Sequence, residues 1–159
     1  MEIYNKIHLK NLDLKTFTKQ DAIDYCILNN INIEDIISLD LSSNNRLTDI
    51  SGIKIFENLQ YLDLRINKLK DISILKDLNN LKFLNINYNN QIKDISVLKN
   101  LTELKSLSIS DTRIKDISVL KYLNNLKLLN ISSIKVKDIS VVQYLNKLEI
   151  LDIRDLKLE

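Results

Sequence analysis

The sequence predicts an α/β solenoid: a curved coil with a parallel β-sheet on its concave face, short 3-10 or loop segments on its convex face, and a helical N-terminal cap. Three observations predict it. First, the tripeptide Asp-Ile-Ser begins at Asp49, Asp71, Asp94, Asp116 and Asp138, at spacings of 22, 23, 22 and 22 residues. A fixed period of this size marks a repeat architecture. Second, an apolar set recurs in step with it, as in Leu59, Leu62, Leu64, Leu69, Ile72, Leu75 and Leu78. Third, a segment with helix-start chemistry precedes the first unit.

That leading segment, residues 1–35, reads as the cap. Thr18 with Asp21 three residues later approximates a capping box. Ala22, Ile23, Cys26 and Ile27 then fall on one helical face. The expected helix runs from about Lys19 to Leu28, with Lys19, Gln20, Asp24 and Asn29 toward water. Ahead of it, Leu9, Leu12, Leu14 and Phe17 fit a degenerate half-repeat, which places an extra leading strand near Leu12–Leu14.

Residues 36–159 hold five full units and a partial sixth. Within each, a Leu-x-Leu core such as Leu62-Asp63-Leu64 alternates with period two and reads as a short half-buried strand. Successive units set these strands side by side at about 4.8 Å. One unit cannot bury its own Leu and Ile residues, so stability comes from stacked neighbours. The last unit stops at Leu158-Glu159, part-way through, and this open C-terminal edge is read three ways: as a fragment, as an edge for self-association, or as a natural short form.

The recurrent Asp has a local purpose. Its carboxylate can accept a hydrogen bond from a backbone N–H two or three residues on and start a short helical turn. Ile then plugs the core and Ser caps locally. A metal ladder would need alternating oxygen donors, and Lys70, Lys93, Lys115 and Lys137 instead precede four of these Asp residues. Asn67 ends a strand segment where an amide can satisfy turn backbone groups. The units starting at Ile36 and Leu81 carry one extra residue there, and Asn45 or Asn90 is expected to absorb it in a left-handed conformation. Thr112, Ile134 and Leu156 take the place of Asn67 later in the chain.

Composition excludes several functions. With 23 basic and 21 acidic residues the net charge is +2, too balanced to argue for nucleic acid. Cys26 is alone, so no intrachain disulfide forms, and it reads as a buried thiol on the helix. His8 is the single His, so a His-based metal site or triad lacks its parts. No cofactor or metal is expected. No apolar run reaches membrane-spanning length. The opening MEIYNKIHLK lacks the apolar stretch of a secretory leader, which points inside the cell; a missing N-terminal segment would make the protein secreted or surface-bound.

The period and the motif in QIKDISVLKNLTELKSLSIS resemble the internalin-type, 22-residue subclass of leucine-rich repeats, over Ile36 to Leu158. Where that family usually has Pro after the Ser, this chain has Ile74, Val97, Val119 and Val141. The resemblance implies a leucine-rich repeat solenoid and protein binding. Internalin-like proteins are surface or secreted adhesins; similar repeats also occur in intracellular regulatory subunits of phosphatases.

Function is expected on the concave face, whose residues fall into three columns. The first is Ser38, Tyr61, Phe83, Ser106, Leu128 and Ile150. The second is Asp40, Asp63, Asn85, Ser108, Asn130 and Asp152. The third is Ser42, Arg65, Asn87, Ser110, Ser132 and Arg154, with Tyr88, Asp111 and Arg113 at the turn side. Aromatics and Arg among small polar residues suit a protein-binding surface. The candidate contact residues are therefore Tyr61, Asp63, Arg65, Phe83, Asn85, Asn87, Tyr88, Leu128, Ile150 and Arg154. The alternative is that these side chains pack locally over their own sheet. Asp40 and Asp63 on adjacent strands raise paired-carboxylate chemistry, but an open arc does not exclude water. The expectation is a non-enzymatic recognition module for a protein partner, the alternatives being a structural piece of a larger assembly or a regulatory subunit of a phosphatase-like enzyme.

Overall fold

The computed structural model describes residues 6–9 and 12–158. The ends of the two expected segments, residues 1–5 and Glu159, lie outside these, as does part of the stretch searched for a leader.

In each repeat a three-residue strand centres on the first apolar residue of the apolar-x-apolar core, and the leading segment has one centred on Ile7. Along the chain these are β1 (Lys6–His8), β2 (Ser38–Asp40), β3 (Tyr61–Asp63), β4 (Phe83–Asn85), β5 (Ser106–Ser108), β6 (Leu128–Asn130) and β8 (Ile150–Asp152). They form one parallel sheet in the order β1-β2-β3-β4-β5-β6-β8. A second, two-stranded parallel sheet pairs β7 (Lys135–Val136) with β9 (Lys157–Leu158). Each unit returns along the convex side through a one-turn 3-10 segment, at Ser51–Ile55, Ser73–Asp77, Ser96–Asn100, Ser118–Tyr122 and Ser140–Tyr144. The interior is a continuous stack of Leu and Ile: Leu62, Leu64, Leu69 and Leu75 are fully buried, as are their counterparts Leu84, Ile86, Ile92 and Leu98. Each such side chain contributes about 1.5–3 kcal/mol relative to exposure.

The Asp-Ile-Ser motif works locally. In all five units the Asp Oδ1 accepts the backbone N–H of the Ser two residues on: Asp49 from Ser51 at 2.8 Å, Asp71 from Ser73 at 2.7 Å, Asp94 from Ser96 at 2.7 Å, Asp116 from Ser118 at 2.8 Å and Asp138 from Ser140 at 2.8 Å. This satisfies an N–H at the start of each 3-10 turn, which has no intrahelical partner.

Buried amides tie the units together. Asn67 Nδ2 donates to the Leu64 carbonyl at 2.8 Å and across the unit boundary to Leu41 at 3.0 Å, while its Oδ1 accepts from Asn44 N at 3.1 Å. Asn89 repeats the pattern on Leu64 and Ile86. At the next place Thr112 Oγ1 donates to Ile109 at 2.8 Å but does not reach the neighbouring unit. Where Ile134 replaces the amide an apolar plug is buried, and the chain just beyond it forms the β7–β9 pairing, with Lys157 N donating to Ile134 O at 3.0 Å.

Three local expectations are corrected. The left-handed residue of each unit is neither Asn45 nor Asn90 but the one before the amide position: Ser43, Ile66, Tyr88, Asp111, Ser133 and Asp155, with φ from 52° to 59°. The extra residue is absorbed in an ordinary β-turn, in which Leu47 N donates to Asn44 O at 2.7 Å and Ile92 N to Asn89 O at 3.1 Å. The leading strand is Lys6–His8, not Leu12–Leu14, and Leu12 is exposed. Its segment is held by Asn44, whose Nδ2 donates to Leu9 O at 2.7 Å and whose Oδ1 accepts from Leu12 N at 2.8 Å.

The cap helix α1 (Lys19–Leu28) carries a complete capping box: Asp21 Oδ2 accepts from Thr18 N at 2.7 Å, and Thr18 Oγ1 accepts from Asp21 N at 3.3 Å. Ala22 and Cys26 are buried against the first unit, but Ile27 is exposed, because the buried face turns toward Tyr25 instead. Burial pushes the Cys26 thiol up, away from thiolate reactivity. Phe17 stacks on Phe56 at 6.5 Å, joining cap and repeats.

Candidate functional site

In-register parallel pairing brings the concave columns together as side-by-side rows. Tyr61 pairs with Phe83, and their neighbours on either side are Ser38 and Ser106. The two rings stack with centroids 4.1 Å apart and planes 5° from parallel. Register and strand spacing explain this: equivalent side chains stand about 4.8 Å apart on the same face. Tyr61 is 41% exposed, outside the Leu and Ile interior. Burial first, then the Asp63 carboxylate, pushes its phenol up, so the hydroxyl stays neutral at physiological pH.

The second row is occupied with its own turn. Asp40, Asp63, Asn85, Asn130 and Asp152 each accept the N–H two residues on, at 2.9, 3.0, 3.1, 2.9 and 3.1 Å. Ser108 is too short for this bond. Asn87 on the preceding strand's extension supplies it, its Oδ1 accepting from Ser110 N at 2.7 Å and Ser108 Oγ at 2.8 Å. Asp63 and Asn85 are therefore buried turn residues. For Asp40, burial acts to raise the carboxyl, but the Ser42 hydrogen bonds and the His8 ring outweigh it and hold the group below its usual range. Asp40 and Asp63 are neighbours, yet each is engaged at its turn on an open face.

In the third row Arg65 Nε lies 3.4 Å from Asp63 Oδ2. Arg154 folds back on Asp152 with two bonds, Nε–Oδ1 at 2.9 Å and a terminal nitrogen to Oδ2 at 2.7 Å. That contact lowers the Asp152 carboxyl and raises the Arg154 guanidinium.

The ten sequence-derived candidates thus separate into two groups. Tyr61, Asp63, Arg65, Phe83, Asn85, Asn87 and Tyr88 share two adjacent units. Leu128, Ile150 and Arg154 lie beyond Ser106, with Ile150 four strands from Tyr61, about 19 Å. Sequence reasoning missed Lys6 and His8, which β1 adds to the first and second rows beside Ser38 and Asp40. His8 Nδ1 is 3.6 Å from Asp40 Oδ2. It also missed Lys82, whose Nζ donates to Gln60 at 2.9 Å and which lines one surface depression with Lys6, His8, Tyr61 and Phe83. The signal was the alternation Lys6-Ile7-His8-Leu9, hidden by its irregular distance from β2.

Among the described residues no cluster of three or more His, Cys, Asp or Glu is placed to hold a metal, and no helix is long and apolar enough to cross a membrane.

These elements define a parallel-sheet repeat solenoid whose concave face is open and carries the stacked aromatic pair. The chain belongs to the leucine-rich repeat family: a family model described as leucine-rich repeats in two copies matches residues 34–77, 57–100 and 102–144. Its repeats are of internalin-like type. An internalin (inlF) from Listeria monocytogenes is 30% identical over 80% of this chain and 44% of its own, with a TM-score of 0.63. Internalin C2 (inlC2) from the same organism is 26% identical over 94% of this chain and 80% of its own, with a TM-score of 0.72. A leucine-rich repeat protein of Leptospira interrogans shares the fold at 23% identity and a TM-score of 0.78, over 99% of this chain and 44% of its own. The chain thus spans under half the length of two of these proteins. A search of curated protein sequences finds no match. Leucine-rich repeats commonly mediate protein–protein interaction, and these neighbours point to a non-enzymatic repeat fold.

Proposed function

We propose that this chain is a non-enzymatic recognition module whose concave face binds a protein partner, with the Tyr61–Phe83 pair as its anchor. The observation that carries this is the stacked, partly exposed pair itself. Folding does not require aromatics in this row, since Ser38 and Ser106 occupy the same place on neighbouring strands. Large rings ringed by polar groups are the usual build of a binding hot spot.

The test is titration of a partner, first captured with the full chain as bait, against Tyr61→Ala and Phe83→Ala. Each variant is expected to lose about 2 kcal/mol or more of binding with an unchanged melting temperature. If both variants unfold, local packing explains the pair. If both keep fold and affinity, the concave reading is wrong.

A second reading, self-association or docking in a larger assembly through β8, is favoured by one observation. Leu151 and Ile153 are exposed, whereas their counterparts Leu129 and Ile131 are buried. Sedimentation of the wild type beside Leu151→Lys separates the two readings.

A further inference from the structure

The row that holds the Tyr61–Phe83 pair has a distinct order of side chains. Along the first row the order is Lys6, Ser38, Tyr61, Phe83, Ser106. One face of the Tyr61 ring is covered by Phe83. On the other side the short, mostly buried Ser38 (8% exposed) forms the floor of a slot that Lys6 and Tyr61 also line. Lys6 stands two strands from Tyr61, about 10 Å away, which leaves room for one planar group stacked on the ring.

The charges around this slot are unequal in their reach. Lys6, Arg65 and Lys82 line the depression. Lys6 and Arg65 are exposed, and Lys82 Nζ donates to the neutral Gln60. The carboxylates are withdrawn: the side chains of Asp40 and Asp63 are 15% and 8% exposed. Asp40 is engaged by Ser42 and His8, and Asp63 by the backbone and side chain of Arg65. Lys105 continues the basic rim one unit beyond Lys82. An approaching chain therefore meets cations at the surface and carboxylates only beneath them.

Resting on the concave-face reading above, we infer that the partner segment recognised here is acidic and aromatic: one planar ring enters the Ser38 slot and extends the Tyr61–Phe83 stack, and flanking carboxylates meet Lys6, Lys82 and Arg65. A basic segment would put like charges against this rim, and an aliphatic one would leave the ring face unmatched.

The probes are three synthetic peptides of equal length: a tyrosine flanked by Asp and Glu, the same with Lys in place of the acids, and the acidic one with Ala in place of the tyrosine. Each is titrated into the isotope-labelled full chain and followed by amide shifts. The acidic tyrosine peptide is expected to bind at least about tenfold more tightly than either control, with shifts centred on Ser38, Tyr61 and Lys82. Its affinity should fall about tenfold between low salt and about 0.5 M salt, and Lys6→Ala with Lys82→Ala should flatten that dependence. Ser38→Leu fills the slot with the residue that Leu128 already places in this row, and should abolish binding with the melting temperature retained. Equal affinity for the acidic and basic peptides, equal affinity without the ring, or shifts centred instead on the convex 3-10 turns would each overturn the inference. A true partner that still depends on Tyr61 and Phe83 while the peptides fail would leave the recognition reading standing and remove only this preference.

Discussion

Gly52 lies directly against the backbone of Thr18, so near that a Cβ on Gly52 would overlap the Thr18 carbonyl. It is the only glycine of the chain. At the same place in later units stand Ile74, Val97, Val119 and Val141. The difference follows from what crosses there: the strap that leads into α1 passes over the first unit, and Gly52 N donates to Phe17 O at 2.7 Å. Gly52→Val, the residue of three later units, is expected to cost about 1–3 kcal/mol by overpacking. Hydrogen exchange should speed up in α1 and stay unchanged from Leu81 to Leu101. An unchanged melting temperature would show that the strap does not rest on this contact.

The Asp column should stabilise the fold without metal. Asp94→Ala removes the bond to Ser96 N and is expected to cost about 0.5–2 kcal/mol, the same with calcium as with chelator. A calcium-dependent rise in melting temperature would refute this. The column also sets an acid limit. Backbone and side-chain bonds from Ser73 and Ser118 hold the Asp71 and Asp116 carboxyls below their usual range, and the Ser140 hydroxyl and N–H do so for Asp138. With folded values below the unfolded one of about 3.9, this stabilisation is complete above that pH and is lost as pH falls through the folded values. Urea midpoints should therefore drop below about pH 4, and replacing all three Asp residues by Asn should flatten the profile.

The amide ladder should rank its members. Asn67→Ala leaves the carbonyls of Leu41 and Leu64 and the N–H of Asn44 without this partner, and a cost of about 2–4 kcal/mol is expected. Thr112→Val breaks one bond, within its own unit, and should cost about 1 kcal/mol. Denaturant titration of the two variants measures both; equal losses would mean that the inter-unit bonds contribute nothing.

Ile66 adopts φ 56°, a left-handed conformation that a β-branched residue tolerates poorly. It is 38% exposed, so its side chain does little for the interior. Ile66→Asn is expected to raise stability by about 1 kcal/mol, since Asn enters this region more readily. A loss on thermal melting would show that the exposed apolar contact outweighs the strain.

What was legible in the sequence were the features made by near neighbours in the chain. The Asp49-to-Ser51 bond spans two residues, and the alternation of Leu62, Asp63 and Leu64 follows from the pleat, so both are visible in local spacing. The Tyr61–Phe83 row was legible because the units pair in register at a constant period. The left-handed column was not. Its occupants, Ser43, Ile66, Tyr88, Asp111, Ser133 and Asp155, share no side-chain chemistry, because closure of the coil imposes the conformation whatever residue stands there. Leu12 looked like a strand residue because it is apolar and evenly spaced, and only the docking of the strap on Asn44 turns it outward.

The sequence by itself determined the period, the Leu and Ile interior, the cap box at Thr18 and the membership of the concave rows, because each depends on spacing that the repeat preserves. The tertiary structure alone decided that Lys6 joins the first of those rows and His8 the second. The physical reason is that these outcomes depend on contacts between segments with no fixed spacing. The ten-residue cap helix lies between β1 and β2 in the chain, and with that helix packed on the 3-10 turn at Ser51–Ile55 and Asn44 bonded to Leu9 O, Lys6 stands beside Ser38.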